Sequence, residues 1–456
     1  MLHAWVRARV DTILSMVLLV PTAEPLVRSV ARCHTLVLMP KSLWNEFAAD
    51  RLDHRALQNI VQRHFPSGSQ PGVREVVYPG DGEHAIKLRF SKNDTLVGIE
   101  AGPGLGAAFE ATLTTALADA LVETGPLVFR SVRFADYKLT GSWRYKDQFQ
   151  ISPVPAQAPQ LNCLIGDHPF LLEVKIIGSK DGFVTSQRAA DATRTAELLL
   201  AGLVNNSIHP LTTRSMYGYW VHPPGDDYRA TAYLQPHYRC DIPESDDFSP
   251  ETQLAPVAPA HELFGPYGMT AGTPLCIPDG LTEALDTYHG LAEDVQEQFL
   301  RSCYWLRQAN RLFLESFSAA FMAVVTAAEA LFHTTPAGTC ATCGQAQHRS
   351  RTAFAQLLET YVPLEATTSR GYGGKPSFQA RLKHLYDTRS QITHGSDLRG
   401  WDTAHGFTPL QSQDDNDLRT LLRIMPLALT NWLQDQTKEH TRARANGVLW
   451  RHQDSV

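Results

Sequence analysis

The chain has 456 residues, of which 43% are hydrophobic and 19% are charged. These values exclude a disordered protein, and the length is sufficient for two or three domains. The net charge of −6 excludes a global basic field, so a nucleic-acid site must be a local patch. Seven scattered cysteines, odd in number, indicate the reducing cytoplasm. No run reaches the ~18 apolar residues of a membrane-spanning helix, so we expect no membrane partner.

Residues 1–240 are predicted to form an α+β domain with a largely antiparallel sheet. From about residue 65, short β-rich runs lie between turn signals, and two segments with helical character, Ala107–Glu123 and Arg188–Asn205, interrupt them. The predicted strands are Val73–Tyr78, Ala85–Phe90, Leu96–Glu100, Leu127–Phe134, Trp143–Ile151 and Leu171–Ile177. We expect this domain to recognise a signal, either a regulatory ligand or a protein.

The remainder of the chain is predicted to be a linker followed by helices. Residues 241–282 are rich in proline, glycine and acids, which is typical of a linker or an extended surface segment. Residues 283–440 show helical periodicity throughout, which predicts an all-α bundle, and residues 441–456 form a basic tail. The predicted helices are Thr282–Asn310, Leu312–His333, Arg349–Tyr361, Phe378–His394 and Asp415–Glu439.

One predicted helix, Leu382–Gly395, carries charged groups suited to chemistry at its end. Its apolar residues recur every three or four positions, and Gly395 is typical of the residue that follows a helix. Arg389 and His394 lie in the last two turns, off the apolar stripe. A permanent cation and a group that titrates near neutrality together can hold a phosphate and move a proton. The stripe consists of Leu382, Leu385, Tyr386 and Ile392.

The spacing of Arg389 and His394 limits how they can share a ligand. Each residue of an ideal helix turns about 100°, so two residues five positions apart lie ~140° apart. One regular helix therefore does not aim both side chains at one point. Either the last turn is distorted before Gly395, or a second protomer completes the site.

The stretch Tyr386–Gly395 (YDTRSQITHG) resembles the signature helix of the HEPN superfamily, in its Apea-like branch. Ala327–Phe332 (AAEALF) resembles the central helix of that branch, and Arg349–Glu359 fits the helix that follows. The resemblance covers about residues 283–440 and says nothing about the first 280 residues.

The resemblance implies a metal-independent endoribonuclease that leaves a 2′,3′-cyclic phosphate. Arg389 would hold the scissile phosphate, and His394 would act as general acid or base. Ser390 takes the polar position after the arginine, where many members carry asparagine. Glu329 is a polar residue on a helix that looks buried, where it would pair with Arg389 and orient it. Because HEPN protomers pair around one cleft, a homodimer is implied. The implied context is bacterial antiphage defence or toxin-type growth arrest, with RNA as the substrate.

A structural role for the same residues is the alternative. Arg389 would then pair with Asp387 or a nearby helix, His394 would cap helix carbonyls, and Glu329 would satisfy some other buried donor. The bundle would be a non-catalytic module for dimerisation or RNA binding, and the N-terminal domain would carry the function.

A second group of residues has ligand types suited to zinc. His333, Cys340, Cys343 and His348 lie in the loop between two predicted helices and offer two thiolates and two imidazoles. A single Cys-x2-Cys is half of a zinc signature, so reduced, unliganded thiols are the alternative. The zinc would be structural, and we expect no cofactor to be required for catalysis.

A third motif lies on a predicted strand. Asp167 followed by Glu173-Val174-Lys175 resembles the acidic motif with which restriction-type nucleases hold magnesium. Alternating charges on a half-exposed strand are the simpler interpretation.

Overall fold

The computed structural model describes residues 41–42, 54–65, 67–79, 84–92, 96–155, 168–205, 207–210, 217–221, 230–234, 246–251, 253–264, 273–313, 315–332, 336–339, 346–348, 350–363, 374–393, 402 and 413–445. Contacts divide the chain into two compact units. One consists of Met1–Glu46 and Phe65–Glu110, and the other of Phe47–His64 and Ala111–Val456. The four-part division predicted from composition stays a prediction.

The first unit contains a five-stranded antiparallel sheet in the order β1-β5-β4-β3-β2. Ile86 and Leu88 are fully buried, while Lys87 and Arg89 alternate with them and pair with carboxylates on neighbouring strands. This period of two is that of a strand with one apolar face. The strands are β1 (Lys41–Ser42), β2 (Ser69–Gly72), β3 (Glu75–Pro79), β4 (His84–Phe90) and β5 (Leu96–Ala101).

The second unit contains another five-stranded antiparallel sheet, in the order β10-β6-β9-β8-β7. One face buries Leu172 and Val174, which belong to the same hydrophobic cluster as the helices of this unit. The strands are β6 (Glu123–Ala135), β7 (Trp143–Tyr145), β8 (Phe149–Pro153), β9 (His168–Ser179) and β10 (His209–Pro210). The other strands of this unit form three two-stranded pairs: β11 (Tyr217–Val221) with β12 (Ala230–Leu234), β13 (Val257–Ala258) with β14 (Ile277–Pro278), and β15 (Pro336–Thr339) with β16 (Ala346–His348).

The opposite face of the second sheet carries polar side chains and is covered by a later segment of the chain. Glu173 is fully buried there and accepts hydrogen bonds from Arg130 Nε at 2.6 Å, Gln150 Nε2 at 2.9 Å and Ser249 Oγ at 2.8 Å. Ser249 belongs to the proline-rich stretch that follows the N-terminal region. The described part of this stretch therefore packs on the sheet, and Glu173 does not lie on the half-exposed strand face that we predicted.

The helices have the bounds α1 (His54–His64), α2 (Ala107–Leu121), α3 (Gly182–Leu203), α4 (Ala260–Leu263), α5 (Leu281–Gly290), α6 (Glu293–Leu312), α7 (Phe317–Glu329), α8 (Ser350–Tyr361), α9 (Gly374–Thr393) and α10 (Gln413–Ala445). The prediction of one helix over Thr282–Asn310 is wrong, because the chain turns extended at Leu291 after Gly290 and a new helix starts at Glu293. The single strand predicted over Trp143–Ile151 is a hairpin, β7 and β8.

Helices α3 and α6 approach each other closely. A Cβ atom on Gly202 would lie 2.4 Å from Cys303 Sγ, so no larger residue fits at Gly202 without movement. Sheet, α3 and C-terminal helices share one buried cluster in the second unit. The predicted N-terminal α+β region with an antiparallel sheet and the predicted C-terminal helical region are both confirmed. None of the described helices has the length and apolarity needed to cross a membrane.

Candidate functional site

Helix α9 carries Arg389 and forms as its amphipathic pattern predicts. Leu382 and Leu385 are each 1% exposed, and Tyr386 and Ile392 pack partly buried against the same cluster. This apolar stripe fixes the rotation of the helix about its axis. Arg389 lies beside the stripe, with its side chain 24% exposed. The helix ends at Thr393, whose hydroxyl donates to the carbonyl oxygen of Arg389 at 2.9 Å.

Helix α7 positions Glu329. The Oγ atom of Ser316 accepts a hydrogen bond from the amide of Ala319 at 3.1 Å, which starts the helix with a side-chain cap. The carboxylate of Asp402 adds bonds from the amides of Phe317 and Ser318 at 2.8 and 2.9 Å. The helix is otherwise almost wholly apolar and buried. Its packing therefore fixes the position of its last residue, Glu329.

Arg389 and Tyr386 hold the two oxygens of the Glu329 carboxylate. Arg389 Nη2 donates to Oε2 at 3.0 Å, and Tyr386 Oη donates to Oε1 at 2.9 Å. Glu329 therefore pairs with and orients the arginine, which is one of the two roles that the sequence left open. The other partner proposed for Arg389, Asp387, is instead paired with Arg351.

Tyr386 also contacts the arginine with its ring. The guanidinium carbon of Arg389 lies 5.7 Å from the ring centroid, within the range of a cation–π contact. The ring also packs against Phe354, at 5.6 Å between centroids. Partial burial and the hydrogen bond to Glu329 raise the pKa of Tyr386 above that of a free phenol, so the hydroxyl keeps its proton and stays a donor.

The guanidinium retains donor capacity. Glu329 is the only hydrogen-bond acceptor that Arg389 has among the described residues, and its Nε atom is buried without an acceptor there. Glu329 takes one of the five N–H donors of the guanidinium, and the 24% exposed side chain can offer others to an anion. Glu329 and the ring of Tyr386 thus orient the guanidinium, while only its Nη2 atom donates to the carboxylate.

The other predicted catalytic residues are placed as follows. Ser390 is half-buried on α9, directly after Arg389. His394 follows the last residue of α9 and lies outside the described residues. Sequence reasoning missed the hydroxyl of Tyr386, which it assigned to the apolar stripe. The available signal was the spacing: Tyr386 precedes Arg389 by three residues, so both project from one face of the helix.

The predicted zinc ligands are described only in part. His348 lies in β16, while His333, Cys340 and Cys343 are outside the described residues. Within the described ranges, no three histidine, cysteine or acidic side chains are grouped as a metal site would require. The third motif is also incomplete, because Asp167 is outside these ranges.

The fold and site thus define a protein with antiparallel sheets, a C-terminal helical region and an arginine held between two helices. Comparison with protein-family models, curated proteins and solved structures found no match to this chain.

Proposed function

We propose that the protein is a metal-independent endoribonuclease of the HEPN type. The observation that carries the proposal is the environment of Arg389. Its guanidinium is held by Glu329 and by the ring of Tyr386, and the side chain stays 24% exposed. This is the arrangement that phosphate binding by an arginine needs, namely a fixed orientation and free N–H groups.

In the proposed reaction, the 2′-oxygen of a ribose attacks the adjacent phosphorus. Arg389 binds the non-bridging oxygens, whose negative charge grows in the transition state. His394 donates a proton to the departing 5′-oxygen, and a base removes the proton of the 2′-hydroxyl. The products are a 2′,3′-cyclic phosphate and a 5′-hydroxyl. Glu329 and Tyr386 are positioning residues, since they act on the arginine and not on the RNA.

The proposal includes a homodimer. One regular helix does not direct Arg389 and His394 to the same ligand, so a second protomer supplies the His394 that acts with Arg389. Growth arrest or antiphage defence is the proposed context, with the N-terminal region as the part that controls the nuclease. Ser390 is the proposed polar neighbour of the phosphate.

The test uses full-length protein, labelled single-stranded RNA and EDTA. Wild type is expected to cut the RNA and leave cyclic-phosphate ends, while Arg389→Ala and His394→Ala each lose about 10²-fold or more in rate. The matched control is Arg351→Ala on α8. It removes an exposed arginine whose partner, Asp387, lies on α9 together with Arg389. It should cut at close to the wild-type rate.

Equal RNA decay in wild type and the Arg389→Ala variant would overturn the proposal. Cleavage by a protein that stays monomeric at micromolar concentration would rule out a site composed of two protomers. If no form cuts but wild type binds RNA more tightly than Arg389→Ala, the non-catalytic RNA-binding module is the correct interpretation, since Arg389 would then hold RNA without cutting it.

A further inference from the structure

Two arginines flank one buried carboxylate where β6, α3 and α6 meet. Arg133 Nε on β6 donates to Glu197 Oε2 at 2.6 Å, and Arg307 Nη1 on α6 donates to Glu197 Oε1. The side chain of Glu197 is 5% exposed, and those of Arg133 and Arg307 are 13% and 16% exposed. The group is built from elements other than α7 and α9, so it is separate from the Arg389 site.

The positive charge of this group exceeds its negative charge. Glu197 gives one oxygen to each arginine, and its single charge balances only one of them. Arg194 precedes Glu197 by three residues on α3 and therefore projects from the same face of the helix. Arg194 is exposed and close enough to Arg307 to repel it. Arg133, Arg307 and Glu197 leave a net charge of +1 in a partly buried place, and the exposed Arg194 adds a further positive charge at its edge. This excess favours a bound anion.

The pKa of Arg307 agrees with this charge excess. Burial lowers the pKa first, Glu197 opposes the decrease, and the charges of Arg194 and Arg133 lower it further. An anion among these side chains would relieve that repulsion. Within the described part of the chain, Arg194 has no hydrogen-bond acceptor, and Arg133 and Arg307 use only part of their donors.

One aromatic side chain, Tyr304, borders the cationic group. The guanidinium of Arg307 lies 5.9 Å from the ring centroid of Tyr304, and Tyr304 contacts Trp305 edge to face at 5.5 Å. Trp305 is 37% exposed. On α6, Tyr304 precedes Arg307 by three residues and shares its face, whereas Trp305 precedes it by two and projects to the other side.

We propose that Arg133, Arg194 and Arg307 bind the phosphate group of a nucleotide or of an RNA backbone. Guanidinium groups match phosphate oxygens with pairs of parallel hydrogen bonds, which a lysine cannot supply. A purely structural ion-pair cluster explains Arg133, Glu197 and Arg307 but gives Arg194 no role. This site goes beyond the proposed ribonuclease activity, because it needs no reaction and does not use Arg389.

Binding is measured on the full-length Arg389→Ala protein, so that RNA bound here is neither cut nor held by the other site. The probes are inorganic phosphate, AMP and a short fluorescent single-stranded RNA, each titrated at low and high salt. The variant is Arg194→Gln, since an exposed side chain can be changed without disturbing the core. The control is Arg301→Gln on α6, which removes an equal charge from an arginine that is 55% exposed and paired with Glu297.

We expect saturable binding that weakens with added salt, a loss of about tenfold in affinity for Arg194→Gln, and no change for Arg301→Gln. The probe that binds with the highest affinity identifies the source of the phosphate. Tightest binding of AMP indicates a free nucleotide, and tightest binding of RNA indicates an RNA backbone. Absence of saturable binding with all three probes, or equal affinities for the two variants, would overturn the proposal. Neither result bears on RNA cleavage, which is measured separately with Arg389 intact.

Discussion

Arg389 Nη2 donates a hydrogen bond to Glu329 Oε2 at 3.0 Å and so joins two helices across 60 residues of sequence. The second carboxylate oxygen of Glu329 accepts from Tyr386, three residues before the arginine. The carboxylate is thus fixed by two donors from one helix face. The orientation of Arg389 depends on both.

Replacing Tyr386 by phenylalanine removes one of these donors and keeps the ring. We expect the free energy of unfolding to fall by about 1 kcal/mol, since a partly buried carboxylate loses a hydrogen bond. If the proposed ribonuclease activity is correct, RNA cleavage should slow several-fold, because Glu329 then holds Arg389 less firmly. Urea unfolding and the cleavage rate with labelled RNA are the two measurements.

Tyr361→Phe is the matched control for that variant. The hydroxyl of Tyr361 also donates to a carboxylate on another helix, Asp435, at 3.1 Å. Its loss should have a similar effect on stability and leave the cleavage rate unchanged. A slowdown of equal size in both variants would show that cleavage follows stability and not the orientation of Arg389.

The buried Glu173 gives a prediction about stability. Its carboxylate is fully buried and pairs with Arg130, whose side chain is 7% exposed. Glu173→Ala removes the buried carboxylate that accepts from Arg130, Gln150 and Ser249, and we expect a loss of about 3–5 kcal/mol in the free energy of unfolding. Lys175→Ala, two residues along the same strand, removes a pair with the 76% exposed Asp147 and should cost less than about 1 kcal/mol. Equal losses in urea unfolding would contradict the assigned roles.

Local sequence patterns predicted most strands and helices, because burial on one side imposes a period of two or about 3.6 residues. The patterns failed where a long-range contact decides the environment. Glu173 alternates with apolar residues and was therefore assigned to a half-exposed face, but Ser249, 76 residues later, covers it. No local pattern contains that contact.

The candidate site was predictable to a similar extent. The amphipathic stripe of α9 and the polar position of Arg389 follow from spacing alone. The partner Glu329 is 60 residues away, so spacing on α9 cannot identify it. It was singled out as a polar residue on a helix that looks buried, with pairing to Arg389 as one of two possible roles. The double role of Tyr386 depends on the depth of its ring against Phe354, which is a property of the packed core and not of the helix.

Asp181 gives a prediction about pH. Partial burial raises its pKa, but the hydrogen bond from Arg63 at 2.6 Å and bonds from two amides at the start of α3 outweigh this, so the pKa is below that of a free aspartate. A lowered folded-state pKa stabilises the protein above the unfolded pKa of about 3.9, and this contribution is lost as pH falls through the folded value.

Asp181→Asn keeps a side-chain acceptor for the helix but loses the charge. We expect it to be less stable than wild type by about 1 kcal/mol at pH 7, and the difference should shrink as the pH falls below about 3.9. The measurement is a series of urea unfolding curves from neutral to acid pH. Asp147→Asn, at a 76% exposed carboxylate, should be close to wild type throughout. A difference in unfolding free energy between wild type and Asp181→Asn that stays constant down to acid pH would contradict the lowered pKa.

Gly202 permits the close contact of α3 with α6, and replacing it tests that contact. A Cβ atom at this position would lie 2.4 Å from Cys303 Sγ and 3.1 Å from Cys303 Cβ, and Cys303 is fully buried. Gly202→Ala should therefore cost about 1–3 kcal/mol, although alanine is the better helix former. The additional variant Cys303→Ala removes the sulfur and should restore part of the loss, which a double-mutant cycle of unfolding free energies measures. Gly290→Ala is the control, because a Cβ atom there meets nothing within 4 Å. A neutral or stabilising Gly202→Ala would show that the two helices can separate at this point without loss.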